Sequence, residues 1–314
     1  MAKQFLFIMD PIEQSNPYKD TTIALIETAL MQQTSVFICN ACDCFVQETT
    51  PLAHVTQVMG CHTQTPDFYQ LGLTTTLQFK DFDTVFLRKD PPFDIDYLNL
   101  TYLLSLAANQ GACVVNHPTA VRNYNEKMAS LYFPEHIAPH LVTSDFSLIQ
   151  SFLAQQQDIV IKPLDGMGGQ GIFRFQYGDG NLASAVELLT HQGRSLIMAQ
   201  KALPVAESGD KRIFIIHGQV QPYALARYPA KGQTRANLAA NGSGQVIKLT
   251  DDEIHQAQTI APVLHRQGLD LVGLDMIDGY ITEINVTSPT CFQEIKQATG
   301  YDMAQLFLEI YLAS

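Results

Sequence analysis

Residues 271–290, LVGLDMIDGYITEINVTSPT, decide how the rest of the chain is read. Two apolar runs flank Asp278-Gly279, a dipeptide that accepts the positive φ of a tight turn, so the segment is expected to form a β-hairpin. A two-residue loop would set Leu274 opposite Glu283 and Val272 opposite Asn285, mixing apolar and polar groups on both faces. A three-residue loop, Asp278-Gly279-Tyr280, instead pairs Val272 with Val286, Leu274 with Ile284 and Met276 with Thr282, giving one nearly continuous apolar face. The other face then carries Asp275 across from Glu283, with Asn285 two residues along. Two carboxylates and an amide gathered at one spot repel each other unless a cation lies between them. A hard ion with oxygen ligands, Mg²⁺ bridging to phosphates, answers that need; an exposed polar face without an ion is the alternative.

At 314 residues the chain is long enough for two or three packed units. It has 19 Lys and Arg against 31 Asp and Glu, a net charge of −12, which excludes a broad nucleic-acid footprint. An anionic ligand must therefore be held by locally placed Lys and Arg. No apolar run approaches the roughly 18 residues of a bilayer span and no signal peptide is visible, so a cytoplasmic protein that does not engage membranes is expected. The six cysteines (Cys39, Cys42, Cys44, Cys61, Cys113, Cys291) do not make a disulfide framework in a chain this long. Cys39-Asn-Ala-Cys42, with Cys44, Cys61 and His62 downstream, raises a zinc or redox site. No second paired motif follows, and Cys39 closes the apolar run 36–38, so small buried thiols are the expectation.

The N-terminal part reads as alternating strand and helix. Strands are expected over 5–9, 36–39, 84–87 and 113–116, and helices over 21–31, capped by Asp20, and 95–109. No Gly-x-Gly-x-x-Gly follows the first strand, which excludes a dinucleotide fingerprint there. Arg88-Lys89-Asp90-Pro91-Pro92-Phe93-Asp94 lies just past a strand's C-terminal end, where open α/β sheets bind ligands. A helix carrying residues 123–127 (NYNEK) is expected next.

From Asp145 the pattern changes. A helix to about 156 leads to a strand over 158–162, then Gly166, Gly168, Gly169 and Gly171, then a strand over 172–175. The loop spells Gly-x-Gly-x-x-Gly, but a strand follows it instead of a helix. That suits a glycine flap closing over phosphates, with Lys162 at its base as a point charge. Protein kinases use a comparable flap, yet no His-Arg-Asp or Asp-Phe-Gly appears downstream. The strand over 196–199 running into 200–204 offers a backbone edge for an adenine ring. Arg212 and Arg227, on strands paired through His217-Gly218, could both face the acidic cluster. Residues 229–244 (PAKGQTRANLAANGSG) read as a lid carrying Arg235 and Asn237. A capping box at Thr250 and Glu253 starts a helix ending near 268, and a last helix spans 302–312.

Taken together, MDPIE at 9–13, RKDPPFD at 88–94, NEK at 125–127, KPLDGMGG at 162–169, GDKR at 209–212, TRANLAA at 234–240 and TEINVTSPT at 282–290 resemble the bacterial-type glutathione synthetases of the ATP-grasp superfamily. The likeness runs from end to end. It implies an α/β fold, α+β in its C-terminal part: a pre-ATP-grasp domain with an open parallel sheet over 1–122, a lid or central subdomain over 123–203 and a catalytic subdomain over 204–314. It implies ligation of γ-glutamylcysteine and glycine through an acyl phosphate, with ATP as co-substrate and two Mg²⁺ ions, Mn²⁺ serving as a substitute.

The residue roles carried over follow the matching motifs. Lys127, Lys162 and Gly166, Gly168 and Gly169 would hold phosphates, the backbone near Gln200 and Leu203 the adenine, and Asp210 the ribose. Asp275, Glu283 and Asn285 would hold metal. Arg212, Arg235 and Ser288 would be catalytic, and Asp20, Arg88, Asp90, Arg227, Asn237 and Ser288 would shape the substrate pocket. The resemblance also implies a homotetramer. Two other readings share much of this machinery: a carboxylate–amine ligase joining D-alanine or adding glutamate, and an ATP-binding regulatory protein without turnover. The second does not explain why Lys127, Lys162, Arg212 and all three metal ligands stand together.

Overall fold

The computed structural model describes residues 2–166, 168–230 and 242–313. Its backbone forms three sheets. The first runs in the order Cys44–Gln47, Thr50–Cys61, Ser35–Cys39, Gln4–Ile8, Thr84–Leu87, Val114–Val115, with Tyr69–Gln78 paired to Thr50–Cys61. Its four central strands are parallel, as their continuous apolar runs require of strands covered on both faces. The strands between Cys39 and Thr84 are antiparallel additions that sequence periodicity did not disclose. Tyr69–Gln78 is exposed along most of its length and so lacks a buried face to impose alternation.

Helix boundaries follow their caps closely. Thr21–Met31 begins at Asp20, whose carboxylate accepts from the Thr22 and Ile23 amides at 2.7 and 3.1 Å. Ile95–Asn109 is capped by Asp94, and Asp251–Arg266 by the Thr250–Glu253 box. The segment holding Lys127 departs from expectation. The helix Pro118–Asn123 ends before it, and the Asn125 side chain accepts from the Lys127 and Met128 amides at 3.2 and 3.0 Å. An Asx turn has replaced the expected helix there.

The second sheet is antiparallel, in the order Phe173–Gln176, Asp158–Pro163, Ile197–Lys201, His140–Thr143. Helices Phe146–Gln156 and Leu182–Leu189 pack on it around a separate small core that includes Ile149, Leu153, Ile161 and Phe175. The third sheet runs Ser243–Lys248, Gln219–Tyr228, Asp210–Ile216, Leu271–Ile277, Tyr280–Asn285. Ser243–Lys248 takes the end of what the sequence presented as loop; Arg235 and Asn237 lie outside the described residues. Leu6, Val85 and Tyr97 of the first unit share one core with Ile213, Val272 and Ile284 of the third sheet. Asn116 fastens the two units: its amide donates to the Leu271 and Val286 carbonyls at 2.8 and 2.9 Å and accepts from the Asp270 and Leu271 amides.

The hairpin sets Asp275 opposite Glu283 and Leu274 opposite Ile284 as expected, but for a different reason, and Met276 lies opposite Ile281 instead of Thr282. Its tip is a two-residue loop, Asp278-Gly279, with φ of +49° and +78°, so Ile277 pairs with Tyr280 and Met276 with Ile281. A bulge between Asp275 and Met276 on the pairing ladder then shifts the register by one, so that Asp275 faces Glu283, Leu274 faces Ile284 and Gly273 faces Asn285. The inserted residue is Thr282, whose hydroxyl donates to the Asp275 carbonyl at 3.3 Å. A bulge, not a longer loop, keeps the apolar side chains on one face.

Candidate active site

The polar face of the hairpin is the floor of a cavity of about 460 Å³ walled by all three units. Arg212 lies directly across from Asp275 on the neighbouring strand, and Asp275 directly across from Glu283. A charged row thus crosses three strands of the sheet. The Arg212 guanidinium clasps Asp275, its Nη2 donating at 3.0 Å, and Arg227 Nη2 reaches the same carboxylate at 2.9 Å. Arg227 also donates to Asp210 at 2.7 Å. Gly273 makes room for this arrangement: a Cβ there would sit 2.9 Å from both the Arg212 Cδ and the Pro289 Cβ.

Glu283 is held differently. Lys127 and Lys162 each bring an ammonium to 3.7 Å from the same carboxylate oxygen, beyond hydrogen-bond length. Lys162 donates to the Thr282 carbonyl at 3.2 Å and Lys127 to the Gly166 carbonyl at 2.7 Å. Lys127 therefore links the glycine loop to the hairpin. Gly168, Gly169 and Gly171 all have positive φ, which the loop needs in order to turn sharply above this cation pair.

The titration behaviour follows from that sharing. Burial pushes Asp275 up, but the two guanidiniums outweigh it and hold its carboxyl well below the usual range. Burial likewise raises Glu283, and Lys127 and Lys162 reverse the effect. Asp210 has only the arginine it shares with Asp275, so burial dominates and its carboxyl is raised to about 6. Its Oδ1 is buried with no hydrogen-bond partner among the described residues. Burial lowers the Lys162 ammonium, with Glu283 opposing.

The donor set suits a hard divalent ion: two ionised carboxylates and an amide, with the Asn285 nitrogen spent on the Gly273 carbonyl at 3.0 Å so that its oxygen is left to accept. Among the described residues no group of three or more His, Cys, Asp or Glu could hold a metal, so these three side chains offer at most part of a coordination shell. Cys39 and Cys44 lie together, Sγ to Sγ 3.9 Å, away from this cavity.

Other expected residues fall into place unevenly. Gln200 and Leu203 line the cavity, but Gln200 is paired on both flanks, with Val160 and His140, so the free backbone edge is narrower than the sequence suggested. Asp20 and Asp90 also line it; Ser288 donates its hydroxyl to Asp90. Arg88 does not line it. Its guanidinium is buried, donating to the Thr22 hydroxyl at 3.1 Å and the Pro289 carbonyl at 3.0 Å, which makes it a strut between the first sheet and the 287–290 turn.

Residues 4–122 match the family model described as the N-terminal domain of prokaryotic glutathione synthetase, and residues 126–300 match that of its ATP-grasp domain. The chain belongs to the prokaryotic glutathione synthetase family. A glutathione synthetase from Ralstonia nicotianae is 45% identical over 312 residues, 98% of this chain and 94% of the relative. Another from Nitrosomonas europaea is 42% identical over 309 residues, 96% and 95% of the two chains. Among solved structures, D-cycloserine synthetase DcsG superposes with a TM-score of 0.69 at 15% identity, over 99% of both chains. D-alanyl-alanine synthetase A from Vibrio cholerae gives 0.62 at 14%, over 100% of this chain and 98% of that one. These two show a shared fold and nothing finer; the ATP-grasp assignment rests on the family model.

Within the glutathione synthetase frame, one residue that sequence reasoning passed over stands out. Glu126 accepts from the Val286 and Thr287 amides and the Thr287 hydroxyl at 3.1, 3.3 and 2.8 Å, fixing the turn that carries Ser288. Its carboxyl is raised by burial. The signal was its place beside Lys127 in NEK, read only for the lysine.

Proposed function

We propose that this chain is an ATP-dependent ligase that joins the cysteinyl carboxylate of γ-glutamylcysteine to glycine, making glutathione with release of ADP and phosphate. One observation carries the reading: Asp275 and Glu283 meet on the hairpin floor beneath the glycine loop, each held ionised by two cations. That is the charge arrangement needed to receive a polyphosphate together with metal.

In this reading Asp275, Glu283 and Asn285 would hold two Mg²⁺ ions, with Mn²⁺ as a substitute. Bound there, Mg²⁺ would neutralise the γ-phosphate oxygens and orient the transferred group. Lys127 and Lys162 steady the phosphates under Gly166, Gly168 and Gly169. Gln200 and Leu203 meet the adenine, and the unpartnered Asp210 oxygen accepts a ribose hydroxyl. The substrate carboxylate attacks the γ-phosphorus, a C–O–P linkage forms and ADP leaves. Arg212 faces the negative charge of the acyl phosphate. The glycine amine then attacks the acyl carbon and expels phosphate, which carries off the proton. Ser288 and Asp90, with Asp20 and Arg227, shape the dipeptide pocket, and Arg235 and Asn237 close over the intermediate to exclude water.

The three sheets support a division at 1–122, 123–203 and 204–314. We further infer that the enzyme works as a cytoplasmic homotetramer; no helix among the described residues is long and apolar enough to cross a membrane.

ADP release measured with ATP, γ-glutamylcysteine and glycine, each omitted in turn, tests the activity. Release requiring both named substrates is expected; release supported instead by pairs of D-alanine would overturn it. The ribose contact has its own test. A hydroxyl donates best to ionised Asp210, which is ionised above about pH 6. KM for ATP is expected to rise as pH falls through about 6, and to lose that step in Asp210→Asn. For stability the sign is opposite: a raised carboxyl favours the fold below its ordinary value of 3.8, and the benefit is lost as pH climbs to about 6.

A further inference from the structure

The cysteines between 39 and 44 have no part in the chemistry above. Cys39 closes the strand Ser35–Cys39, opposite Ile8, and Cys44 opens the strand Cys44–Gln47, opposite Ala53. The turn between them is pinned: the Asn40 amide donates to the Asp43 carboxylate at 2.8 Å, and the Asp43 amide donates to the Asn40 carbonyl at 3.1 Å. That turn brings the two sulfurs to 3.9 Å, with the Cys44 thiol also 3.6 Å from the Asn40 carbonyl. Cys39 is 5% exposed, Cys44 is half-buried and Cys42 is exposed. The contact with Cys44, together with burial, pushes the Cys39 thiol up, so Cys39 stays protonated while Cys44 meets solvent.

A short chain of bonds joins this pair to the cavity. The Cys39 carbonyl accepts from the Met9 amide at 3.0 Å. The next residue, Asp10, accepts from Lys89 Nζ at 3.3 Å and from the Asp90 amide at 2.8 Å. Asp90 lines the cavity and takes the Ser288 hydroxyl. To bond covalently, the two sulfurs must approach from 3.9 Å to about 2.05 Å. The ladder between Ser35–Cys39 and Thr50–Cys61 ends at Ile38, so Cys39 is paired on one side only and its backbone is the freer to move. Movement there passes to Met9 and Asp10, and through Asp10 to the Asp90 wall.

We propose that Cys39 and Cys44 are a reversible modification site, closed to a disulfide by a small-molecule disulfide, and that closure weakens binding of the donor dipeptide. The Cys44 sulfur attacks one sulfur of the small disulfide, forming a mixed disulfide and expelling one thiol. The Cys39 sulfur then attacks the Cys44 sulfur and expels the second. Two protein thiols are oxidised, one small disulfide is reduced to two thiols, and the protons of Cys39 and Cys44 pass to the leaving sulfurs. Disulfides inside cells are commonly transient and redox-sensing, as this one would be. Bond formation stands apart from the proposed function. The effect on the donor rests on it, and in that reading the product is itself a thiol whose disulfide has the required chemistry.

Treatment with hydroxyethyl disulfide, alkylation of free thiols and cleavage before Asp43 read the bond directly, because Cys39 and Cys44 then lie on separate peptides. In wild type and Cys42→Ser the peptides are expected to stay linked until dithiothreitol is added; in Cys44→Ser and Cys39→Ala they are expected to separate. With the reagent removed, KM for γ-glutamylcysteine should be raised about five-fold or more in wild type and Cys42→Ser, and KM for ATP should hold. Cys44→Ser and Cys39→Ala should keep their untreated values. Unlinked wild-type peptides, linkage lost in Cys42→Ser, or linkage kept in Cys44→Ser or Cys39→Ala would overturn the site. A linked protein with an unchanged donor KM would overturn the coupling to the pocket. Failure of the proposed function reads differently: untreated wild type would show no ADP release dependent on γ-glutamylcysteine and glycine.

Discussion

Glu283→Gln is expected to cut kcat by about a thousand-fold or more while the protein stays folded. The reason lies in how loosely Glu283 is held compared with its neighbour. Both Asp275 oxygens are engaged by guanidiniums, whereas Glu283 faces two ammoniums at 3.7 Å, too far to count as hydrogen bonds. At an effective dielectric of about 20, each such pair is worth about 4 kcal/mol before desolvation, enough to keep the carboxylate charged in a buried place. It is thus ionised and uncommitted, so it can take up a metal without first giving up a hydrogen bond. The amide in Glu283→Gln keeps the shape and removes the charge. Lys127 and Lys162 then face each other without a counter-ion, and the Mg²⁺ concentration needed for half-maximal rate should rise steeply. Steady-state ADP release over a Mg²⁺ titration, with circular dichroism as the folding control, provides the measurement. Retention of a tenth of the wild-type kcat at ordinary Mg²⁺ would remove Glu283 from the ligand set.

The same residues show what was legible in the chain before folding. Asp275 opposite Glu283 could be read because side chains alternate along a strand and one apolar face had to be buried, which leaves a single acceptable register. The device that achieves it could not be read: a bulge at Thr282 adds a residue to one strand just as a longer loop would, and both satisfy the same pattern. Lys127 was legible as a residue but not as a turn, since its place depends on Asn125 capping the backbone and bonding the Leu164 carbonyl 39 residues away. Tyr69–Gln78 escaped because an exposed strand is shaped by its partner, not by its own periodicity. Glu126 and Gly273 escaped for a related reason. Each acts through contacts with residues distant in sequence, and nothing local marks a glutamate whose oxygens will be buried or a glycine that must give way to an arginine.

Arg227→Met should cost about 3–5 kcal/mol of stability, because it strips a buried arginine from two carboxylates at once. The loss should not fall equally on them. Asp275 keeps Arg212, while Asp210 keeps nothing comparable and is already raised to about 6 with Arg227 present. Its carboxyl will climb further in the variant. A carboxyl raised in the folded state favours folding while protonated and penalises it once pH exceeds that raised value, so the penalty at pH 8 should be clearly larger than at pH 5. Removing the stranded charge should recover much of it: Arg227→Met/Asp210→Asn is expected to be more stable at pH 8 than Arg227→Met alone, the coupling that a double-mutant cycle reads directly. Denaturant unfolding of the four proteins at both pH values supplies the numbers. A penalty independent of pH, or one that the second substitution leaves untouched, would place the cost in lost packing of the arginine stem instead of in the uncompensated carboxylate.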